Sequence, residues 1–333
     1  MKKHFLNTTS QKLFWLVVFL LLVLGFSVFL GRYPNPGFMP FEKLSTDTLA
    51  QKLVLNLRVP RILTALLLGS GLAAAGAVFQ MIFTNPLVDP GFLGVSQGAA
   101  FGAALCIFLG GAALTIQASA AFFGCAGLVL SYLLARKVHY GGWVLRLILA
   151  GIAVSAMFSS ALGIVKFVAD PMTQLQEITF WLLGGLWSIT WKQFITIAPI
   201  VLVSLFIMYR MRWRLNLLSL GDETAFSLGL APTRERALLL VAAVAATSAV
   251  ISVAGMVSWI GLIIPHISRR IFGADSRFML PASVLIGGSF AILCDDLGRV
   301  LFTSEIPLGI ITSLLGAGIF IAIMLTQKVP IQK

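Results

Sequence analysis

An all-α polytopic membrane protein is the fold class this sequence predicts, and three observations carry it. Of 333 residues, 59% are hydrophobic and only 11% charged, with a mean hydropathy of +0.98, far from the range of water-soluble domains. The apolar runs are continuous, not alternating, which excludes a transmembrane β-barrel. The basic residues gather in alternate loops, the pattern of a chain threaded with its positive loops in the cytoplasm. That bias also accounts for the net charge of +12 without nucleic acid.

Ten spans follow in order. Lys2, Lys3 and Lys12 precede the first, Leu13–Leu30, which is long for a signal-peptide core and lacks a small-x-small cleavage site. A stretch with Pro34, Pro36 and Pro40 leads to a short helix near Thr46–Leu57, then to the second span, Ile62–Phe83. Asn85-Pro86 and Asp89-Pro90-Gly91 turn the chain into Phe92–Gly110 and Ala112–Ala135. The basic loop Arg136–Gly142 opens the fifth span, Val144–Val165. An external segment, Lys166–Lys192, carries Phe180, Trp181 and Trp187 and fits the membrane interface. Gln193–Tyr209 is the sixth span. The run Ala237–Ser268 is too long for one crossing, and Gly255 and Gly261 divide it into two passes. Phe278–Cys294 and Pro307–Leu325 complete the set. Both termini are then cytoplasmic, with about two thirds of the 24 Lys and Arg residues on that side.

Small residues recur at four-residue spacing in Gly94, Gly98 and Gly102 and in Gly309, Ser313 and Ala317. Such ridges serve tight helix packing, or a wall beside a pathway or dimer seam. A faint echo also relates Ala75, Gly76, Val78, Pro86 and Gly94 to Ala254, Gly255, Val257, Pro265 and Gly273, as an inverted repeat would. Cys106, Cys125 and Cys294 show no CxxC spacing and read as small packing residues.

The longest polar interruption of the second half, Arg210–Arg236, is patterned as two short helices. Leu215, Leu217, Leu218 and Leu220 offer one apolar face, and Gly221 breaks it. Asp222 and Glu223 suit the N-terminal end of a second helix, whose apolar face is Ala225, Phe226 and Leu228 and which Gly229 closes. A knob that seats on a cytosolic partner and a loop resting on headgroups both fit this pattern.

Chemistry is otherwise sparse. No ionisable residue falls in the middle of a span, which disfavours a proton- or sodium-coupled carrier. There is no P-loop, HExxH or GxSxG pattern, and His4, His139 and His266 have no ligand spacing. A chain built for transport without a fuel site needs a partner that supplies one. Arg58, Arg61 and Arg299 break the charge bias by standing outside. They fit an acidic docking partner, or local pairing such as Arg299 with Asp295 or Asp296.

Four segments now carry a resemblance: Arg58–Gly94, Leu217–Leu230, Gly261–His266 and Glu305–Phe320. In order and spacing, from about residue 40 to the C-terminus, the chain resembles the FecCD-type permeases, membrane subunits of importers for ferric siderophores, haem, cobalamin and related chelates. The resemblance implies the type II ABC importer permease fold, one transmembrane domain of ten helices spanning residues 1–333, set in the lipid of the inner membrane. It implies a homodimer with two cytosolic ABC ATPase subunits and a periplasmic or lipid-anchored substrate-binding protein. It implies no catalysis, metal or cofactor in this chain, with ATP and Mg held by the partner. Leu217, Leu218, Leu220, Gly221, Asp222, Glu223, Ala225, Phe226, Leu228 and Gly229 would couple to the ATPase, and Arg58, Arg61 and Arg299 would dock the binding protein. Gly142, Trp143, Val144 and Leu145 would stand at the cytoplasmic gate by position. An iron or other metal chelate is the expected cargo. A small oxyanion such as molybdate or tungstate, an ion-gradient carrier, and a receptor-like membrane protein are the alternatives.

Overall fold

The computed structural model describes residues 2–33, 35–301 and 304–326, so Pro34, Lys328 and Lys333 lie outside the described residues. In chain order the helices are α1 (Lys2–Phe29), α2 (Phe41–Thr46), α3 (Thr48–Leu53), α4 (Val59–Ile82), α5 (Val95–Phe108), α6 (Ala113–Lys137), α7 (Trp143–Val168), α8 (Gln174–Leu183), α9 (Trp191–Arg210), α10 (Arg212–Leu218), α11 (Asp222–Ser227), α12 (Pro232–Ala254), α13 (Ile260–Phe272), α14 (Ser276–Val300) and α15 (Leu308–Thr326). Leu30–Gly31 and Gly37–Phe38 form a two-residue antiparallel ladder after α1.

Among the described residues, eight helices are long and apolar enough to cross a membrane. The third and eighth predicted spans are the shorter α5 and α13, which at 1.5 Å per residue reach only about 20 Å. Each follows a connection without α-helix, 83–94 (with a 3-10 turn at Pro90–Leu93) or 255–259, and each connection holds a non-glycine residue in the left-handed region, Thr84 (φ 46) and Trp259 (φ 75). The split of Ala237–Ser268 falls at Gly255 (φ 68), which caps α12. Gly261 breaks nothing. It lies inside α13 and packs on α4.

Helix α4 is the axis of the molecule, packed against α14, α12, α13 and α9, and nearly all its residues from Thr64 to Ile82 are buried. Lipid gives no hydrophobic drive for helices to associate, so close approach must come from small residues and van der Waals contact. Gly69 meets Gly287 of α14, and Gly76 meets Gly261: a Cβ on Gly76 would stand 1.9 Å from the Gly261 carbonyl oxygen. Gly76→Ala is therefore expected to melt well below wild type, by about 1–3 kcal/mol of overpacking. Gly25→Ala in α1, where a Cβ meets nothing within 4 Å, gains the same helix propensity without the clash. A detergent-based melting assay on the pair checks this.

The Gly94, Gly98 and Gly102 ridge is a packing device. Added Cβ atoms at Gly98 and Gly102 would strike the α6 carbonyls of Phe123 and Ser119. The five-position echo is not a structural repeat. Gly76 is mid-helix whereas Gly255 ends one, Pro86 lies in a loop whereas Pro265 lies inside α13, and Gly94 precedes a helix whereas Gly273 follows one. The expected helix near Thr46–Leu57 is two short helices and a π-helical turn, Val54–Arg58, that runs straight into α4. Of the cysteines, Cys294 is buried and Cys106 partly so, while Cys125 faces outward. His266 hydrogen-bonds the Leu262 carbonyl within α13, at 2.9 Å.

Candidate functional site

Two regions at opposite ends of α4 hold the predicted site residues. At its start the π-helical turn and the first turn of α4 place Arg58 and Arg61, and the last turns of α14 bring Asp295, Asp296 and Arg299 against them. Arg61 grips Asp295 with two parallel bonds, Nε to Oδ2 and Nη2 to Oδ1, both 2.9 Å, and reaches Glu305 with Nη1 at 2.8 Å. This bidentate fork is the strongest geometry open to an arginine and a carboxylate. One turn further along α14, Arg299 pairs with Asp296, which also accepts from Ser27 Oγ at 2.6 Å. Arg58 donates to the carbonyls of Val28 (3.0 Å) and Tyr33 (3.4 Å) and has no carboxylate partner among the described residues.

So the three arginines are brought together, but they are not exposed pegs, and Arg299 makes the local pair with Asp296 that stood as the alternative to docking. Arg58 is 8% exposed and Arg299 5%. With Arg32, Tyr33, Trp187 and Glu305 they line an open pocket of about 240 Å³. Arg299 Nε and Nη1 are buried and find no partner among the described residues. A buried guanidinium with unfilled donors is costly unless an acceptor arrives. Asp296 Oδ2 beside it is also buried without a partner among the described residues. A Cβ at Gly31 would stand 2.4 Å from Arg58 Nη2, so a larger residue there would displace the guanidinium. The Arg299–Asp296 pair was legible as an i, i+3 spacing. The Arg61–Asp295 and Arg61–Glu305 pairs, more than 230 residues apart in sequence, were not.

At the other end α10 and α11 form the two-helix knob. Leu215, Leu218 and Ala225 are fully buried and hold it to the body, while Leu220, Phe226 and Leu228 are more than half exposed. Leu217 is half-buried, so the predicted four-leucine face is split, with Leu220 turned outward. Gly221 (φ 100) joins the helices in a conformation closed to other residues. Leu230 N–H to the Ala225 carbonyl and Gly229 N–H to the Phe226 carbonyl end α11, with Gly229 left-handed as predicted. Buried Arg236 ties the knob to α12: it pairs with Asp222 at 2.5 Å and donates to the Leu218 carbonyl. Its guanidinium also lies 5.7 Å from the Trp143 ring. Asn216 donates to Asp275 at 2.8 Å and accepts from Ser276 N–H, which fixes α10 to the N-terminus of α14. Partial burial opposes ionisation of Asp275, yet its bonds from Arg277 and Asn216 hold it down at about 2. Glu223 and Asp222 remain exposed.

The predicted gate residues start α7. Gly142 is its N-cap, Trp143 stacks on Phe83 at the end of α4 (6.3 Å, 14°), Val144 is half-buried and Leu145 largely exposed. Through Arg236 and Trp143 the knob, the α6–α7 loop and the end of α4 form one connected patch. Among the described residues no His, Cys, Asp and Glu cluster could hold a metal ion.

A polytopic membrane bundle around one buried helix thus carries an arginine-lined pocket at one end and a firmly held, partly exposed two-helix knob at the other. The chain belongs to the FecCD transport family, whose model matches residues 17–326. It is 37% identical over 317 residues to the molybdate import system permease protein MolB of Haemophilus influenzae, covering 92% of this chain and 93% of that one. It is 40% identical over 292 residues to a probable iron chelatin transport system permease protein of Helicobacter pylori (87% of each). The hemin transport system permease protein HmuU of Yersinia pestis is 34% identical (95% of each). Among solved structures, an inward-facing conformation of a putative metal-chelate type ABC transporter superposes with a TM-score of 0.89 at 34% identity, covering 96% of this chain and all of that one. The chain is thus an ABC transporter permease, a multi-pass inner-membrane transport subunit and not an enzyme, of type II importer fold. Family membership sets aside the gradient-driven carrier and the receptor.

Proposed function

We propose that this permease imports a metal chelate, such as a ferric siderophore or haem, by alternating access. It works as a homodimer with two cytosolic ABC ATPase subunits and a substrate-binding protein, with both termini in the cytoplasm. ATP and Mg belong to the ATPase, and this chain holds no cofactor of its own. The observation that carries the reading is the knob: one face locked into the bundle by Leu215, Leu218, Ala225 and Arg236, the other presenting Leu220, Phe226 and Leu228 to a partner. A rigid mount transmits a partner's motion, where a loop loosely laid on lipid would not. In this reading closure of the ATPases moves the knob, and the Arg236–Trp143–Phe83 stack passes the motion to the gate at Gly142–Leu145.

At the opposite face, an acidic side chain of the binding protein enters the pocket that Arg58, Arg61 and Arg299 line. Capture of the cognate binding protein by the purified complex tests this. Arg58→Gln and Arg61→Gln should each weaken capture about tenfold, the worth of one charge-assisted bond. Glu305→Gln, which removes a competing carboxylate from Arg61, should leave capture intact or strengthen it. Full capture by both arginine variants rejects the docking role. A second reading keeps the architecture and changes the cargo to a small oxyanion, favoured by the Haemophilus relative. Competition of molybdate against a ferric chelate for uptake separates the two.

A further inference from the structure

A second basic cavity lies at the knob end, distinct from the knob and the gate residues. It has a volume of about 880 Å³ and is walled by α13, α15 and the connection after α4. Arg269, Arg270 and His266 stand on one side, and Leu87, Phe320, Ile323 and Met324 supply the apolar remainder. Among the described residues no carboxylate lines it. Both arginines sit in the last turn of α13, where the helix dipole favours cations. That accounts for charge at the helix end, but not for two guanidinium groups sharing one recess without a counter-charge. Arg269 is half-buried and its side-chain partner is the neutral Gln80, itself buried and fixed by its own bond to the Leu262 carbonyl at 3.0 Å. Arg270 donates to Thr326 Oγ1 at 3.0 Å. Neither forms an ion pair among the described residues. The acids nearest in sequence are engaged elsewhere: Asp275 with Arg277 and Asn216, and Asp89 with the Gly91 N–H.

We infer that this cavity binds an oxyanion group, held by Arg269 and Arg270 with Thr326 between α13 and α15. A guanidinium fork matches a tetrahedral oxyanion or phosphate in geometry. The volume admits more than a bare ion. The group can arrive as a free anion or on the headgroup of an anionic phospholipid, and the chemistry of the site is the same for both. Binding at this site needs neither the ATPase nor the binding protein.

Two probes separate the sources. Sodium molybdate is titrated calorimetrically into the full-length protein in neutral maltoside micelles, and dioleoylphosphatidylglycerol retention is followed by native mass spectrometry. The wild type should bind at least one of them saturably. The Arg269→Gln/Arg270→Gln double variant should bind about tenfold more weakly or not at all, and Arg269→Lys/Arg270→Lys, which keeps the charge but loses the fork, should fall between it and the wild type. Molybdate binding identifies a free-anion site, and retention of the lipid alone identifies a headgroup site. Should the double variant fail to fold, exposed Arg270→Gln alone carries the test and should still weaken binding. Absence of saturable binding to either probe, or binding untouched by these substitutions, overturns the inference.

Discussion

Arg61→Met is expected to destabilise the protein by about 3–5 kcal/mol, the cost of leaving a buried carboxylate without its partner. Asp295 is almost fully buried and receives two bonds from Arg61, and no other cation reaches it among the described residues. Removing Arg61 also frees Glu305, but that carboxylate is about a third exposed and can turn to water, so the penalty comes from Asp295. The double variant Arg61→Met/Asp295→Leu should recover most of the loss, because a buried ion pair replaced by apolar groups of similar volume is often neutral. Melting in detergent reads both. If the single variant melts like the wild type, the fork contributes little and the two helices are held by packing alone. The pair of measurements also separates fold from docking, since the double variant is expected to fold yet to lose part of its binding-protein capture.

Gly221→Pro should abolish coupled uptake while leaving the bundle folded. Its φ of 100 lies far from the value a proline ring imposes, so the junction between α10 and α11 must change shape. The Asp222–Arg236 pair then parts, and with it the link from the knob to Trp143. Uptake by the reconstituted complex should fall at least about tenfold, equivalent to about 1.4 kcal/mol of lost coupling, with ATP hydrolysis by the partner persisting. Asp222→Lys should act in the same direction by setting two cations together. The buried anchors Leu215, Leu218 and Ala225 are untouched by either change, so the melting temperature should move little. Undiminished uptake in both variants would show that the knob does not carry the drive.

Much of this was readable from sequence because membrane insertion imposes coarse rules. The lengths of apolar runs located the spans, and the excess length of Ala237–Ser268 required the break that Gly255 makes. Gly221 and Gly229 were readable because only glycine takes those backbone angles cheaply. Length alone could not tell that α5 and α13 are short, because the apolar residues Phe92 and Leu93 before α5, and Met256, Val257 and Trp259 before α13, extend each run beyond its helix. The π-helical turn at Val54–Arg58 leaves no mark in the sequence, yet it carries Arg58 into the pocket wall. The arginines read as exposed docking groups because charge bias reports the side of the membrane and not depth. The burial of Arg61 against Asp295 and Glu305 depends on contacts across more than 230 residues that no local pattern encodes. Arg269 and Arg270 entered the sequence reading only as positive charges, and Phe320 and Met324 only as span residues. Folding alone places them around one cavity.

The decisive experiment is uptake into proteoliposomes containing this chain with the ATP-binding-cassette subunit that co-purifies with it, loaded with ATP and supplied with the binding protein and a ferric chelate. Uptake that requires ATP and the binding protein, and that Gly221→Pro eliminates, is the expected result. A chain that purifies without an ATPase subunit and accumulates cargo along an ion gradient would refute the mechanism.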